Sequence, residues 1–103
     1  MGSINQLRKA IYDEPERKWT IDEMAKLMML SKAYFQRMYK QRFGITVSAD
    51  IINARIEKAK RLLSEGTTIV ETAELCGYSS DVYFMHQFKK ETGMTPSEWV
   101  SRK

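Results

Sequence analysis

The feature that most constrains this chain is a stretch it contains twice. One copy runs from Thr20 to Gly44, TIDEMAKLMMLSKAYFQRMYKQRFG, and the other from Thr68 to Gly93, TIVETAELCGYSSDVYFMHQFKKETG. Thr20, Ile21, Ala25, Leu27 and Ser31 recur as Thr68, Ile69, Ala73, Leu75 and Ser79 at an offset of 48. Tyr34, Phe35, Lys40 and Gly44 recur as Tyr83, Phe84, Lys89 and Gly93 at an offset of 49, which places one extra residue in the Ser79-Ser80 turn of the second copy. Each copy reads as two helices joined by a tight turn, so the fold has to build one architecture twice.

Local signals fill in the copies. Thr20-x-x-Glu23 and Thr68-x-x-Glu71 have the spacing of a capping box, with the carboxylates at the positive end of the helix. In the first copy Met24, Ala25, Met28, Leu30, Phe35 and Met38 take the inward positions, and Ala25 is small where two helices cross. Met29 falls in the turn, where a residue of positive φ is wanted; Gly77 in the second copy suits that better. Ser31 is a natural N-cap for a helix over residues 32–43 that Gly44 ends. In the second copy Thr72, Ala73, Leu75, Cys76, Tyr78, Phe84 and Phe88 are expected inside, and the second helix covers 81–92 before Gly93.

Around the copies, Ile4, Leu7 and Ile11 keep helical spacing over residues 4–12, and Asp13-Glu14-Pro15-Glu16 ends that helix. Residues 47–64 form one uninterrupted helical pattern with Ile52, Ile56, Ala59 and Leu63 on one stripe, Arg55, Lys58, Lys60 and Arg61 as its charges, and Gly66 as its stop. Such a helix is about 26 Å long, enough to act as a spacer. Thr95-Pro96-Ser97-Glu98 opens a short last helix that Trp99 and Val100 pack. The expectation is an all-α fold of seven helices: a first helix-turn-helix subdomain over 4–46, a connector helix over 47–64, and a second subdomain over 65–103. Met1-Gly2-Ser3 reads as a cloning scar on a piece of something longer.

Composition narrows the function. One Cys76 and one His86 among 103 residues allow no internal disulfide and no Cys/His metal cluster, and no cofactor is expected. The same scarcity, with no glycine-rich phosphate loop, argues against an enzyme. No apolar run approaches the roughly 18 residues of a membrane span, and the start is too short and polar for a signal peptide, so a cytoplasmic protein is expected. The net charge of +4 leans toward a polyanionic partner. The second helix of a helix-turn-helix has the width of the DNA major groove, and successive grooves on one face lie about 34 Å apart. Two units on a long connector would therefore read an asymmetric site with two elements one turn apart, at the cost of some DNA bending. The paired units already supply a two-site geometry, so the isolated fragment is expected to be a monomer. A protein-docking module is the competing class, and steep salt dependence of duplex binding separates the two.

The residues resemble the DNA-binding domain of the AraC/XylS family of bacterial transcription regulators, from about Ile4 to Trp99. The most specific part is Ile69, Ala73, Gly77-Tyr78, Tyr83-Phe84, Phe88-Lys89-Lys90, Gly93 and Thr95-Pro96-Ser97-Glu98-Trp99; Arg55-Ile56, Ala59 and Leu62-Leu63 in the connector also fit. The resemblance implies two helix-turn-helix subdomains joined by a long helix, binding to double-stranded promoter DNA, and activation through contact with RNA polymerase. Three positions depart from the family pattern: Met29 in the turn, Val100 where arginine is usual, and Asp50 where an aromatic is frequent. All three read as local packing changes, with the carboxylate of Asp50 the one able to weaken the seating of the first unit.

With Phe35 and Met38 turned inward, the first recognition helix leaves Lys32, Ala33, Gln36, Arg37 and Lys40 outside. The resemblance puts Ala33, Gln36 and Arg37 where base edges are contacted. Arg37 has the fork for guanine, Gln36 the amide for adenine, and Ala33 a methyl for thymine. With Phe84 and Phe88 inside, the second recognition helix leaves Asp81, Val82, Met85, His86 and Lys89 outside, with Tyr83 between core edge and groove. His86 sits where the family often has a basic base-reading residue. This face is poor in donors, so the first unit is expected to supply most hydrogen-bond specificity and the second to rely on shape and apolar contact. Lys90, Arg102 and Lys103 read as solvated or phosphate-facing, Arg55 as a structural tie, and the methionines as core filling.

Overall fold

The computed structural model describes residues 3–102. Among them are seven α-helices and no strand: α1 Ile4–Asp13, α2 Ile21–Leu27, α3 Lys32–Phe43, α4 Val47–Ser64, α5 Ile69–Leu75, α6 Asp81–Thr92 and α7 Pro96–Ser101. The chain divides into two compact units after Ala54, within α4.

The first unit packs around Leu7, Ile11, Met24, Ala25, Phe35, Tyr39, Val47 and Ala54. A full capping box opens α1: Ser3 Oγ accepts from the Gln6 N–H, and the Gln6 side chain accepts from the Ser3 N–H. Ser3, read as part of a scar, thus caps a helix; Met1, Gly2 and Lys103 lie outside the described residues. The α2–α3 turn closes on the bond from Leu30 N–H to Ala25 O at 2.9 Å, with Met29 left-handed at φ 59°. Tyr39 is fully buried while Met38 is only half-buried, so the aromatic at 39, which the inward pattern omitted, is the deeper anchor of α3.

Asp50 overturns its expectation. It is fully buried, yet both carboxylate oxygens are saturated. Oδ2 accepts from Arg8 Nε at 2.7 Å and from the Tyr39 hydroxyl at 2.5 Å. Oδ1 accepts from Arg8 Nη2 at 3.2 Å and from the Tyr12 hydroxyl at 2.5 Å. One side chain of α4 therefore ties α1 and α3, and seats the first unit rather than loosening it. Burial pushes the Asp50 carboxyl up, but the hydrogen bonds from Arg8, Tyr12 and Tyr39 outweigh it and hold the group below its ordinary 3.8. Burial and the bond to Asp50 push Tyr12 up to about 12. The Arg8 guanidinium also lies over the rings of Tyr12, at 5.2 Å, and Phe43, at 4.7 Å.

The second unit buries Ile56, Ala59, Leu63, Ala73, Cys76, Tyr78, Phe84 and Phe88. Its turn repeats the first: Tyr78 N–H reaches Ala73 O at 3.0 Å, and Gly77 sits at φ 91°. Ser80, not Ser79, is the counterpart of Ser31, because it caps α6 by accepting from the Tyr83 N–H as Ser31 does from the Tyr34 N–H. Ser79 is thus the inserted residue. Helices α3 and α6 end alike, with Gly44 at φ 75° and Gly93 at φ 84° bonding back to the carbonyls of Lys40 and Lys89 at 2.7 Å. Arg55 is the structural tie expected of it: its guanidinium lies 5.4 Å over the Tyr78 ring and Nη1 donates to Gly77 O at 3.4 Å.

Three smaller expectations change. Leu75 is 48% exposed, as is its counterpart Leu27, because the buried stripe of the second copy runs through Thr72, Ala73 and Cys76 and leaves Leu75 off it. Val100 is also exposed, so α7 packs through the buried Pro96 and the half-buried Trp99, which stands edge-on to Phe88 at 6.1 Å. At Thr20 and Thr68 the side chain accepts the N–H three residues on, but the glutamate carboxylate takes the threonine hydroxyl instead of the capping residue's N–H.

Candidate nucleic-acid interface

Within α3, Phe35 and Tyr39 fix which face is inside, and their spacing forces residues 33, 36, 37 and 40 to the other side. Ala33, Gln36, Arg37 and Lys40, all exposed, line one shallow depression together with Gln41 and Thr46. Sequence reasoning missed the last two. Gln41 lies one turn beyond Arg37, and Thr46 comes from the loop before α4, where its hydroxyl caps by accepting from the Ala49 N–H at 3.2 Å. The depression holds two cations, two amides and no acid, so it presents mainly donors. The Arg37 guanidinium lies 5.6 Å over the half-exposed Tyr34 ring, which limits its freedom before any ligand arrives. Lys32 stands apart from this group and pairs with Asp22 at 3.3 Å.

Within α6, Phe84 and Phe88 are the seat, and Asp81, Val82, Tyr83, His86 and Lys89 are exposed while Met85 is half-buried. Val82 and Tyr83 are 53% and 55% exposed, so the ambiguity over Tyr83 resolves outward. Asp81 lines a different depression, shared with Val70, Glu74, Tyr78 and Ser79. The Tyr83 ring meets the Tyr78 ring edge-on at 5.7 Å, and its hydroxyl lies 3.3 Å from Gln87 Nε2. The two faces therefore differ: α3 offers a cationic, amide-bearing surface, and α6 an apolar and aromatic one with basic residues toward its end.

A family model described as a helix-turn-helix domain matches residues 24–102. The RCS-specific HTH-type transcriptional activator RclR of Escherichia coli K12 is 32% identical over 103 residues, which is 99% of this chain and 35% of that protein. The C-terminal domain of AraT, a response regulator from Geobacillus stearothermophilus, superimposes with a TM-score of 0.90 at 30% identity, over 97% of this chain and 84% of that one. The chain belongs to the AraC/XylS family. It is a DNA-binding domain of the AraC type, from a transcription regulator. The DNA-binding domain of AdpA, solved in complex with a target DNA, shares the fold with a TM-score of 0.89 at 19% identity, over 99% of this chain and 93% of that one. The chain spans about a third of the length of the curated AraC-type relatives it matches. Among the described residues no helix is long and apolar enough to cross a membrane.

Proposed function

We propose that this AraC-type domain binds promoter DNA sequence-specifically, with α3 and α6 as recognition helices in successive major grooves, as a monomer in the cytoplasm. The observation that carries the reading is the α3 depression, where Gln36, Arg37 and Lys40 converge without an acid. Phosphate contacts position such a surface, and base edges give it specificity. Arg37 and Gln36 are the base readers, Ala33 meets a thymine methyl, and Lys32, Lys40 and Lys89 serve phosphates. Val82, Tyr83, Met85 and His86 form the second reading face, with Asp81 at its acidic start as an acceptor for cytosine. Activation, by contact with RNA polymerase, is the favoured regulatory outcome; the relative RclR is a transcriptional activator.

The test is selection of bound duplexes from a random pool. Two short elements one turn apart are expected. Arg37→Ala should weaken binding to the selected duplex by about 1–3 kcal/mol and flatten preference at one position. No enrichment, together with binding that salt does not weaken, would reject this reading in favour of a protein-docking module.

A further inference from the structure

Three side chains of the second unit form a directed hydrogen-bond chain that ends on the exposed face of α6. The Tyr78 hydroxyl lies 2.5 Å from Gln87 Oε1, an amide oxygen that can only accept. Tyr78 therefore donates and the Gln87 oxygen accepts. That fixes the other end of the amide, Nε2, as a donor toward the Tyr83 hydroxyl at 3.3 Å. Tyr78 is itself held, 5% exposed, between the Arg55 guanidinium and the Phe84 ring. With its lone pair engaged by Gln87, Tyr83 keeps its own proton free on a side chain that is largely exposed.

We propose that Tyr83 is a specificity-determining donor of the second recognition helix and that Gln87 is its positioning residue. The matching partner is a base-edge atom that only accepts: a purine N7, guanine O6 or thymine O4. The inference rests on the reading of α6 as groove-facing. It gives this face a hydrogen bond that its exposed residues do not advertise, because Gln87 is half-buried and its effect appears one turn away.

The direction of the chain supplies the test. In Gln87→Glu the carboxylate only accepts, so Tyr83 must turn its proton inward. Affinities are measured for the 103-residue chain on the duplex it selects from a random pool and on every single base-pair variant of that duplex. Tyr83→Phe should weaken binding roughly five- to tenfold, the size of one hydrogen bond. Gln87→Glu should also weaken it, and should lose several-fold less affinity when made in the Tyr83→Phe background, because the proton it captures is already gone. Electrostatic repulsion by the new carboxylate is the same in both backgrounds and drops out. Melting curves confirm that each variant is folded, and the exposed Tyr83→Phe carries the result if Gln87→Glu unfolds. Loss of preference at one base pair is the expected result, and an equal loss on all duplexes, the mark of a phosphate contact, overturns the specificity role. Unchanged affinity in Tyr83→Phe, or an equal cost of Gln87→Glu in both backgrounds, overturns the proposal. A wild-type chain that selects no duplex would instead sink the DNA-binding reading itself.

Discussion

Asp50→Asn is the perturbation that most sharply tests how the first unit is held. The carboxylate accepts four hydrogen bonds, two on each oxygen, from Arg8, Tyr12 and Tyr39. An asparagine of the same shape keeps one oxygen and turns an NH₂ toward two of those donors. The tyrosine hydroxyls can rotate to accept from it, but Arg8 cannot, having no acceptor. Hydrogen bonds to charged groups contribute about 1.5–3 kcal/mol each, so two displaced bonds set an upper range of about 3–6 kcal/mol. The Arg8 side chain is 37% exposed and recovers part of its solvation from water, which brings the expectation to about 3 kcal/mol. For a domain of this size that lowers the melting temperature by about 12–24 °C. The assay is thermal unfolding followed by circular dichroism near neutral pH. Asp13→Asn, which breaks the exposed Lys9–Asp13 pair, is the control and should move the midpoint by only about 1–4 °C. A shift below about 4 °C for Asp50→Asn would refute the argument that this carboxylate seats the unit. The pH limb has a definite sign. The folded value lies below the ordinary 3.8, so the contribution is complete above that value and is lost as pH falls through the lower folded one. Asp50→Asn should therefore show a shallower acid limb than the wild type.

Two further outcomes follow from single residues. Met29→Gly should stabilise the chain by about 0.5–1 kcal/mol, because Met29 holds a left-handed φ of 59° and is 90% exposed, and glycine relieves that strain at little packing cost; a lower urea midpoint would contradict this. Thr72→Val should stabilise by about 1 kcal/mol, since the buried Thr72 hydroxyl has no hydrogen-bond partner among the described residues and valine keeps its shape; a destabilised variant would mean that the hydroxyl is satisfied in solution.

What was legible in the sequence is what physics makes local. Helix starts at Ser31 and Thr95, stops at Gly44 and Gly93, and the strained turn at Met29 each depend on residues within four positions of one another. The exposed face of α3 was legible for the same reason, because one buried aromatic phases the whole helix. What escaped depends on pairing across the chain. Arg8 and Tyr12 lie 42 and 38 residues from Asp50, and nothing in their neighbourhood advertises that a carboxylate will meet them. Thr46 escaped because a loop, not a helix period, delivers it to the α3 depression. Gln87 escaped because its importance lies in the direction of a hydrogen bond, which spacing does not encode.

Asp50, which read alone is a packing change able to weaken the first unit, becomes intelligible when residues of the repeat are read in pairs. Asp50 and Trp99 occupy matched positions, each four residues past a threonine cap, Thr46 and Thr95, at the offset of 49. Their partners on α3 and α6 are matched too, Tyr39 with Phe88. In the second unit the seat is apolar, with Phe88 edge-on to Trp99 and the Arg102 guanidinium 4.0 Å over the indole. In the first unit the same seat is polar: the extra hydroxyl of Tyr39 reaches the carboxylate, and Arg8 neutralises it from α1. Either solution is self-consistent. A carboxylate facing Phe88 would be an unpaired buried charge, and an indole facing Tyr39 would leave the buried hydroxyl without its acceptor. Positions 39 and 50 of this chain therefore have to be read together: the Tyr39 hydroxyl, eleven residues before Asp50 on α3, is part of what makes a buried carboxylate acceptable there.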